Sequence, residues 1–525
     1  MFRKFGGAFL TLAISLTAIQ GCGSDTKDPQ GSTTNETTVT QLTVSPSNTE
    51  ITSGMALSSP LTVEFRNANN NLVTSATGTV LATTANNATL DGRTTVTATN
   101  GRAHFSDLVI HGVVGETYTI TFTAGTLNTS VDVTVTDCVF DGRLATPEAP
   151  TRTSLGPIAM GGLGTAKGHS IVLAPCGALA TGANDQGQLG TGNLDAAERF
   201  TPLATQPPFV KLAANENSGV GLASNGDVYT WGTGASLGYV GSDACGNATG
   251  LACETTPSRV DLGAALTIVD ADVGLDHTVV ITEGGAGLAW GRNSFAQAGD
   301  THGDLSTSLT PHIMWSNLNV TSVAAGFYHT LVLTEDGAVF TWGASRYGEL
   351  GYPTDQTCVQ DLPCSDTPKP VQFPSEVDVV AIAAGDAHSL AATAADEVWT
   401  WGDNSNGELG IGSSGSSSET PQRVLTGVDV ISMAAGSFHN LVLASDGRLF
   451  AWGSNSNGQL GDGTTKPVTA PKLVANTNFV HVEAAGSLSH AYTEDGELYV
   501  WGEATSNLGM PWDRRLLEPT RWGEP

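Results

Sequence analysis

The 525-residue chain carries a formal net charge of −29, a charged fraction of 14 % and 63 glycines. So negative a balance repels nucleic acid and anionic lipid surfaces, which argues against a DNA- or chromatin-binding role. Few charges, many Thr and Ser and abundant glycine suit an exported all-β protein with many turns.

The chain starts with the positive residues Arg3 and Lys4, followed by an apolar run from Phe9 to Ala18. That run is too short to span a bilayer stably and reads as a targeting segment. It ends in "AIQGCGSD", which resembles the lipobox of bacterial lipoproteins, with Ile19 at minus three, Gly21 at minus one and Cys22 as the lipid acceptor. The resemblance implies a signal peptide over 1–21 and an acylated Cys22, a lipid anchor without a transmembrane helix. Removing Arg3 and Lys4 with that peptide takes two positive charges off and leaves −31. Residues 22–37 are polar and lack periodicity, as a flexible tether would.

Over residues 38–137 the pattern alternates. In "GETYTITFTAG", Tyr118, Ile120 and Phe122 share one face and Thr119, Thr121 and Thr123 the other. "SVDVTVT", "LTVEFRN" and "GRAHFSDLVIHG" read as further strands, with turns at "NANNN", "LDGR" and "TNGR". Several short alternating strands over about 100 residues predict a β-sandwich. The stretch resembles bacterial immunoglobulin-like domains, without the Trp and internal Cys pair of antibody domains.

From residue 138 to 525 one unit repeats. Its closing Trp-Gly places Trp231, Trp290, Trp342, Trp401, Trp452 and Trp501 at steps of 59, 52, 59, 51 and 49 residues. A first, degenerate copy has Thr181 in the Trp place. A period near fifty lies in the propeller range. Within a unit, "HTLVLT" and "AVFTWG" read as paired strands around the turn "EDG", where Gly337 is free to take positive φ. Asp396 stands in that glycine's place in another copy and tolerates the left-handed conformation better than most residues. The pattern "AAGxxH…DGxxxxWGxNxxGxLG" resembles the repeat of the regulator of chromosome condensation (RCC1) family. The resemblance implies a seven-bladed β-propeller of four-stranded blades. The expected fold is therefore all-β: an immunoglobulin-like sandwich, then an RCC1-like propeller.

His169, His277, His329, His388 and His439 occupy one repeat position, with Ser218 in the second copy and Ser489 or His490 in the last. A catalytic or metal site needs different groups converging on one point, whereas a residue repeated once per blade is spread around a ring. These histidines are expected to satisfy backbone groups in tightly packed strands, and the tryptophans to pack blade on blade with their indole N–H bonded. No nucleophile elbow, HExxH, P-loop or isolated carboxylate pair is present, so neither enzyme activity nor a metal or cofactor is expected.

With Cys22 set aside, six cysteines remain, an even number that suggests disulfides in an exported chain. Cys245–Cys253 and Cys358–Cys364 are natural local pairs, which leaves Cys138 and Cys176. Zinc is the alternative, but no cluster with zinc spacing accompanies them. The two local pairs lie in matching insertions after "LG" in the second and fourth copies, on one face by blade symmetry. Asp243, Glu254, Asp355, Asp361 and Asp366 are their acidic residues, and Phe295 and His302 of the third copy look exposed between them. These loops either recognise a partner or merely resist proteolysis.

The expected function is a non-catalytic binding platform for a protein or glycan, monomeric and anchored to the cell envelope, in the outer membrane by its Gly23. A secreted bacterial β-lactamase inhibitor shares this propeller, so a protein inhibitor is an alternative. The family resemblance also implies guanine-nucleotide exchange, which an exported location disfavours.

Overall fold

The computed structural model describes residues 38–136 and 158–522, apart from 47, 53–60, 85–88, 92, 106–107, 112–115, 162–167, 175–176, 205–206, 208, 243–244, 246–252, 264–265, 300–306, 317 and 505–513. The expected boundary at residue 137, the expected signal and tether, and Cys22, Cys138, Cys176, Asp243 and His302 lie outside the described residues.

Alternating sequence buries alternate side chains, and the described residues between 38 and 136 do so on two facing sheets. One holds Gln41–Ser45, Leu61–Arg66 and Arg102–Phe105; the other holds Asn48–Thr52, Leu127–Thr136, Thr117–Ala124, Thr79–Thr84 and Thr95–Thr97. Leu61, Val63 and Phe105 from the first meet Val80, Ile120, Phe122 and Val133 from the second in one core. Phe105 and Phe122 stand 4.9 Å apart at a tilt. Asn48–Thr52 pairs parallel to Leu127–Thr136, whereas the neighbouring strands run antiparallel.

Beyond them come seven four-stranded sheets, each built from four strands consecutive in sequence. Their innermost strands start at Ile158, Phe209, Ile268, Val320, Val379, Val430 and Phe479. The ring closes where Val172, Ala174 and Leu179 of the first blade share a core with Phe479, Val482, Tyr492 and Trp501 of the seventh.

In the fourth blade, His329 opens the second strand opposite Gly343, and Thr330 stands opposite Trp342. Thr181 stands opposite Ser170 at the matching register of the first blade, in the tryptophan place. Gly337 has φ 78° in its turn, and Asp396 takes φ 60° at the same place one blade later. Ala296 also has positive φ, 63°, where the other copies carry glycine at Gly187, Gly348, Gly407 and Gly458. Because the strands alternate in direction, the turn after the innermost strand and the loop between the third and fourth strands lie at the same end of every blade.

Candidate functional site

The repeated histidines and tryptophans meet at the seams between blades. His329 Nε2 lies 3.1 Å from Ser389 Oγ of the next blade, and Ser389 Oγ donates onward to the Glu349 carbonyl at 3.0 Å. Trp401 Nε1 donates to the same carbonyl at 2.8 Å. A hydroxyl that donates forward accepts from behind, so the network assigns the proton to Nε2 of the histidine. The relay recurs as His277–Thr330–Gln297, His388–Asn440–Glu408 and His439–Ser489–Gln459, with Trp342, Trp452 and Trp501 on the three carbonyls. The histidines thus bond a side chain of the next blade, and that side chain serves the backbone. This differs from the direct backbone role read from sequence.

The flanking glycines follow from the same packing. A Cβ on Gly326 would stand 2.2 Å from His329 Cε1 and 2.7 Å from the Gly385 carbonyl oxygen of the next blade. A Cβ on Gly351 would stand 3.1 Å from Trp401 Nε1. Burial holds His277, His329 and His439 at a pKa of about 3 and His388 at about 4, the latter eased upward by its bond to Asn440. Neutral, buried and already bonded, these rings are poor candidates for ligands. Among the described residues, no three His, Cys, Asp or Glu side chains are grouped to hold a metal.

Three blades depart from the pattern. His169 is buried with both ring nitrogens unpartnered, because the next blade has Gly219 where a hydroxyl would stand. A Cβ on Gly219 would fall 2.4 Å from the Trp231 ring. In the second blade Ser218 Oγ bonds Asn215 Oδ1 at 3.0 Å and Ser236 Oγ at 2.8 Å. In the seventh, Leu488 stands opposite Gly502 and Ser489 opposite Trp501. Neither Ser489 nor His490 therefore takes the histidine place. The missing residue is lost from the turn, so the strand register is kept and leucine moves into position.

The two insertions lie between third and fourth strands. Cys245 is bonded to Cys253 and Cys358 to Cys364. Closing such short loops restricts the unfolded chain and stabilises by roughly 2–3 kcal/mol each in the chain-entropy picture. Cys358 N donates to the Leu362 carbonyl at 2.9 Å and Thr354 Oγ1 to that of Cys364 at 2.9 Å, so the second loop is internally braced. Asp355 and Asp361 are exposed and Asp366 half-buried. Glu254, read from sequence as a surface contact, is buried and accepts from Ser242 Oγ at 3.1 Å, because it is the second residue of the outer strand Cys253–Arg259. Phe295 is half-buried rather than exposed, its ring 4.8 Å from that of Tyr328.

At the same end of the blades opens the axial channel, a cavity of about 250 Å³ lined by the innermost strands of the second to seventh blades. Glu216, Asp272, Asp386 and Glu483 enter its wall, as does His481. Asp272 accepts from Ala325 N of the next blade at 2.8 Å, yet burial still pushes it up to about 7. Asp386 is also pushed up to about 7 by burial, to which the charge of Glu216 adds. His481 Nε2 faces Glu483 Oε1 at 2.8 Å. Sequence reasoning missed this mouth. Glu216 and Asp386 fill variable places after the innermost strand, in "AANENS" and "AAGDAH", whereas Asp272, His481 and Glu483 lie on the innermost strands themselves. Reading the places between "AAG" and the histidine around the ring would have exposed Glu216 and Asp386.

A family model described as RCC1-like domain matches residues 67–431, and two matches to the regulator of chromosome condensation (RCC1) repeat cover 430–459 and 446–492. The chain belongs to the RCC1-like domain family. The RCC1-like match begins within the two-sheet region, whereas the first four-stranded sheet begins at Ile158. The chain is 31 % identical over 308 residues to the human E3 ubiquitin-protein ligase HERC2, covering 56 % of this chain and 6 % of HERC2. It is 27 % identical over 354 residues to the ultraviolet-B receptor UVR8 of Arabidopsis thaliana, covering 64 % of this chain and 75 % of that one. Among solved structures, Prp20p from Saccharomyces cerevisiae is similar with a TM-score of 0.52 and 26 % identity, over 63 % of this chain and 80 % of that one. This RCC1-like chain thus spans a small part of the E3 ligase it matches and most of the length of the propeller proteins.

Proposed function

We propose that the chain is a lipid-anchored, exported bacterial protein whose RCC1-like propeller is a non-catalytic platform for a protein or glycan partner, held off the membrane by an immunoglobulin-like spacer. The observation that carries the reading is a division of labour. The repeated His and Trp side chains are consumed in the seams, while the groups that vary between blades gather at one end: two disulfide-closed loops and the channel mouth. Rigid loops lose little freedom on binding, which favours recognition. Prp20p is described by its binding to Gsp1p and histones; partner binding by that protein supports the same use of the fold here.

Two experiments test the reading. Replacing residues 246–252 and 359–363 with short Gly-Ser links should abolish capture of the partner from envelope extracts and shift the melting temperature by only a few degrees. Capture that survives both replacements would move the site off these loops. The Cys22→Ala variant should leave the detergent phase and appear in the soluble fraction; unchanged partitioning would sink the lipid anchor.

A further inference from the structure

We infer that the channel mouth is a socket for one basic side chain, arginine or lysine, projected by a protein partner. The inference rests on the platform reading and specifies what this part of the face recognises.

The wall of the cavity takes carboxylates from four blades, Glu216, Asp272, Asp386 and Glu483, and holds no lysine or arginine among its described residues. The nearby lysine and arginine are committed elsewhere: Lys211 pairs with Asp270 at 3.2 Å and Arg292 with Asp276 at 3.5 Å. Within the wall, Glu483 Oε1 already has His481 Nε2 at 2.8 Å. Glu216 and Asp386 have no cation within ion-pair distance among the described residues, and the charge of Glu216 raises the cost of ionising Asp386. The charges of Arg292, Asp276, Asp386 and Glu216 all reach Tyr328, the residue after Phe327.

The rim is also aromatic. Phe327 lines the cavity, and its ring stands 5.1 Å from that of Tyr328, which meets Phe295 at 4.8 Å. On the sixth blade's turn Phe438 is 40 % exposed. Aromatic faces beside carboxylates attract a guanidinium or ammonium whose aliphatic stem packs on the rings. Ser437, 4 % exposed, lines the same cavity; its hydroxyl has no well-formed hydrogen bond, though it stands close enough to Asp386 to ease that carboxyl's pKa downward. With its proton turned to that carboxyl, its oxygen keeps lone pairs that can accept from a bound donor. The rim is preorganised, because Leu275 N bonds the Phe327 carbonyl, Phe327 N that of Asp386, and Ser437 N that of Gly486, each from one blade to the next. A side chain on a docked partner fits better than a free metal ion, because the carboxylates lie on separate blades and form no metal-holding group among the described residues.

The test uses the full chain in mild detergent, titrated calorimetrically with triarginine, with the uncharged tricitrulline and with spermidine. Triarginine should bind and tricitrulline should not. The Glu216→Gln/Asp386→Asn variant should lose at least about tenfold in affinity. A control of equal charge change at the opposite end of the blades, Glu335→Gln/Asp336→Asn, should stay within about twofold. Equal losses in both variants would reduce the effect to bulk acidity and overturn the socket. Equal binding of tricitrulline, or tighter binding of spermidine than of triarginine, would overturn it as well. Should the carboxylate variant not fold by its melt, Phe327→Ala decides, with an expected loss of about fivefold through the missing ring; an unchanged affinity there overturns the proposal. The loop-replaced protein should keep triarginine binding, so failure of the platform reading and failure of the socket are separately visible.

Discussion

Trp401→Ala should lower the propeller's stability by about 3–5 kcal/mol, read from chemical denaturation. The indole is fully buried and belongs to two blades at once. It packs with Leu331, Leu333 and Val371 of the fourth blade and with Val379 and Ala391 of the fifth. Neighbouring elements cannot collapse into its place, because Gly351 lies against the ring and that backbone is fixed by its own turn bond from Gly351 N to the Gly348 carbonyl. Truncation therefore leaves a cavity in a seam. Packing and hydrogen bonding can be separated. In Trp401→Phe the Glu349 carbonyl keeps its bond from Ser389, so the loss should fall to about 1–2 kcal/mol. A loss under 1 kcal/mol for the alanine variant would contradict the seam as a main source of stability.

The seams were legible because most copies repeat them. A residue that recurs at fixed distance from Trp-Gly must sit at one register of one strand, and His329 opposite Gly343 is that register. What the histidine bonds was less legible. Its partner, Ser389, lies in the next copy at a position filled variously by Thr330, Ser389, Asn440 and Ser489, so only geometry links them. The seventh copy misled for a related reason. Polarity favoured Ser489 or His490, but strand pairing is kept and the deletion falls in the turn, which brings an apolar residue to the ring. Glu254 misled because an acidic residue near a cysteine in a long insertion looks like loop, whereas it lies within the outer strand Cys253–Arg259. The channel mouth was hidden for the opposite reason. Glu216 and Asp386 occupy places that vary from copy to copy, and a repeat consensus discards variation first.

The histidine relay makes stability depend on pH in a direction that can be worked out. Burial, aided by the neighbouring rings of His388 and His277, depresses His329 from 6.5 to about 3. At pH 7.5 the ring is neutral in folded and unfolded chains, and its bond to Ser389 contributes fully. Between pH 6.5 and about 3 the unfolded chain takes up a proton that the folded chain cannot, so stability falls as pH falls. Each unit is worth about 1.4 kcal/mol, or about 2.7 kcal/mol at pH 4.5. Asp272, Glu349 and Asp386, raised to about 7, act the other way. Their contribution is complete below their unfolded values and lost as pH rises through about 7. They are common to the wild type and a histidine variant, and cancel in the difference. His329→Gln should therefore be less stable than the wild type by about 1–2 kcal/mol at pH 7.5, for the weakened seam bond. It should draw level between about pH 5 and 6 and be the more stable protein at pH 4.5. Denaturation of both proteins across that range gives the difference directly. A gap that stays constant with pH would mean that His329 titrates alike folded and unfolded, which a ring sealed between two blades cannot do.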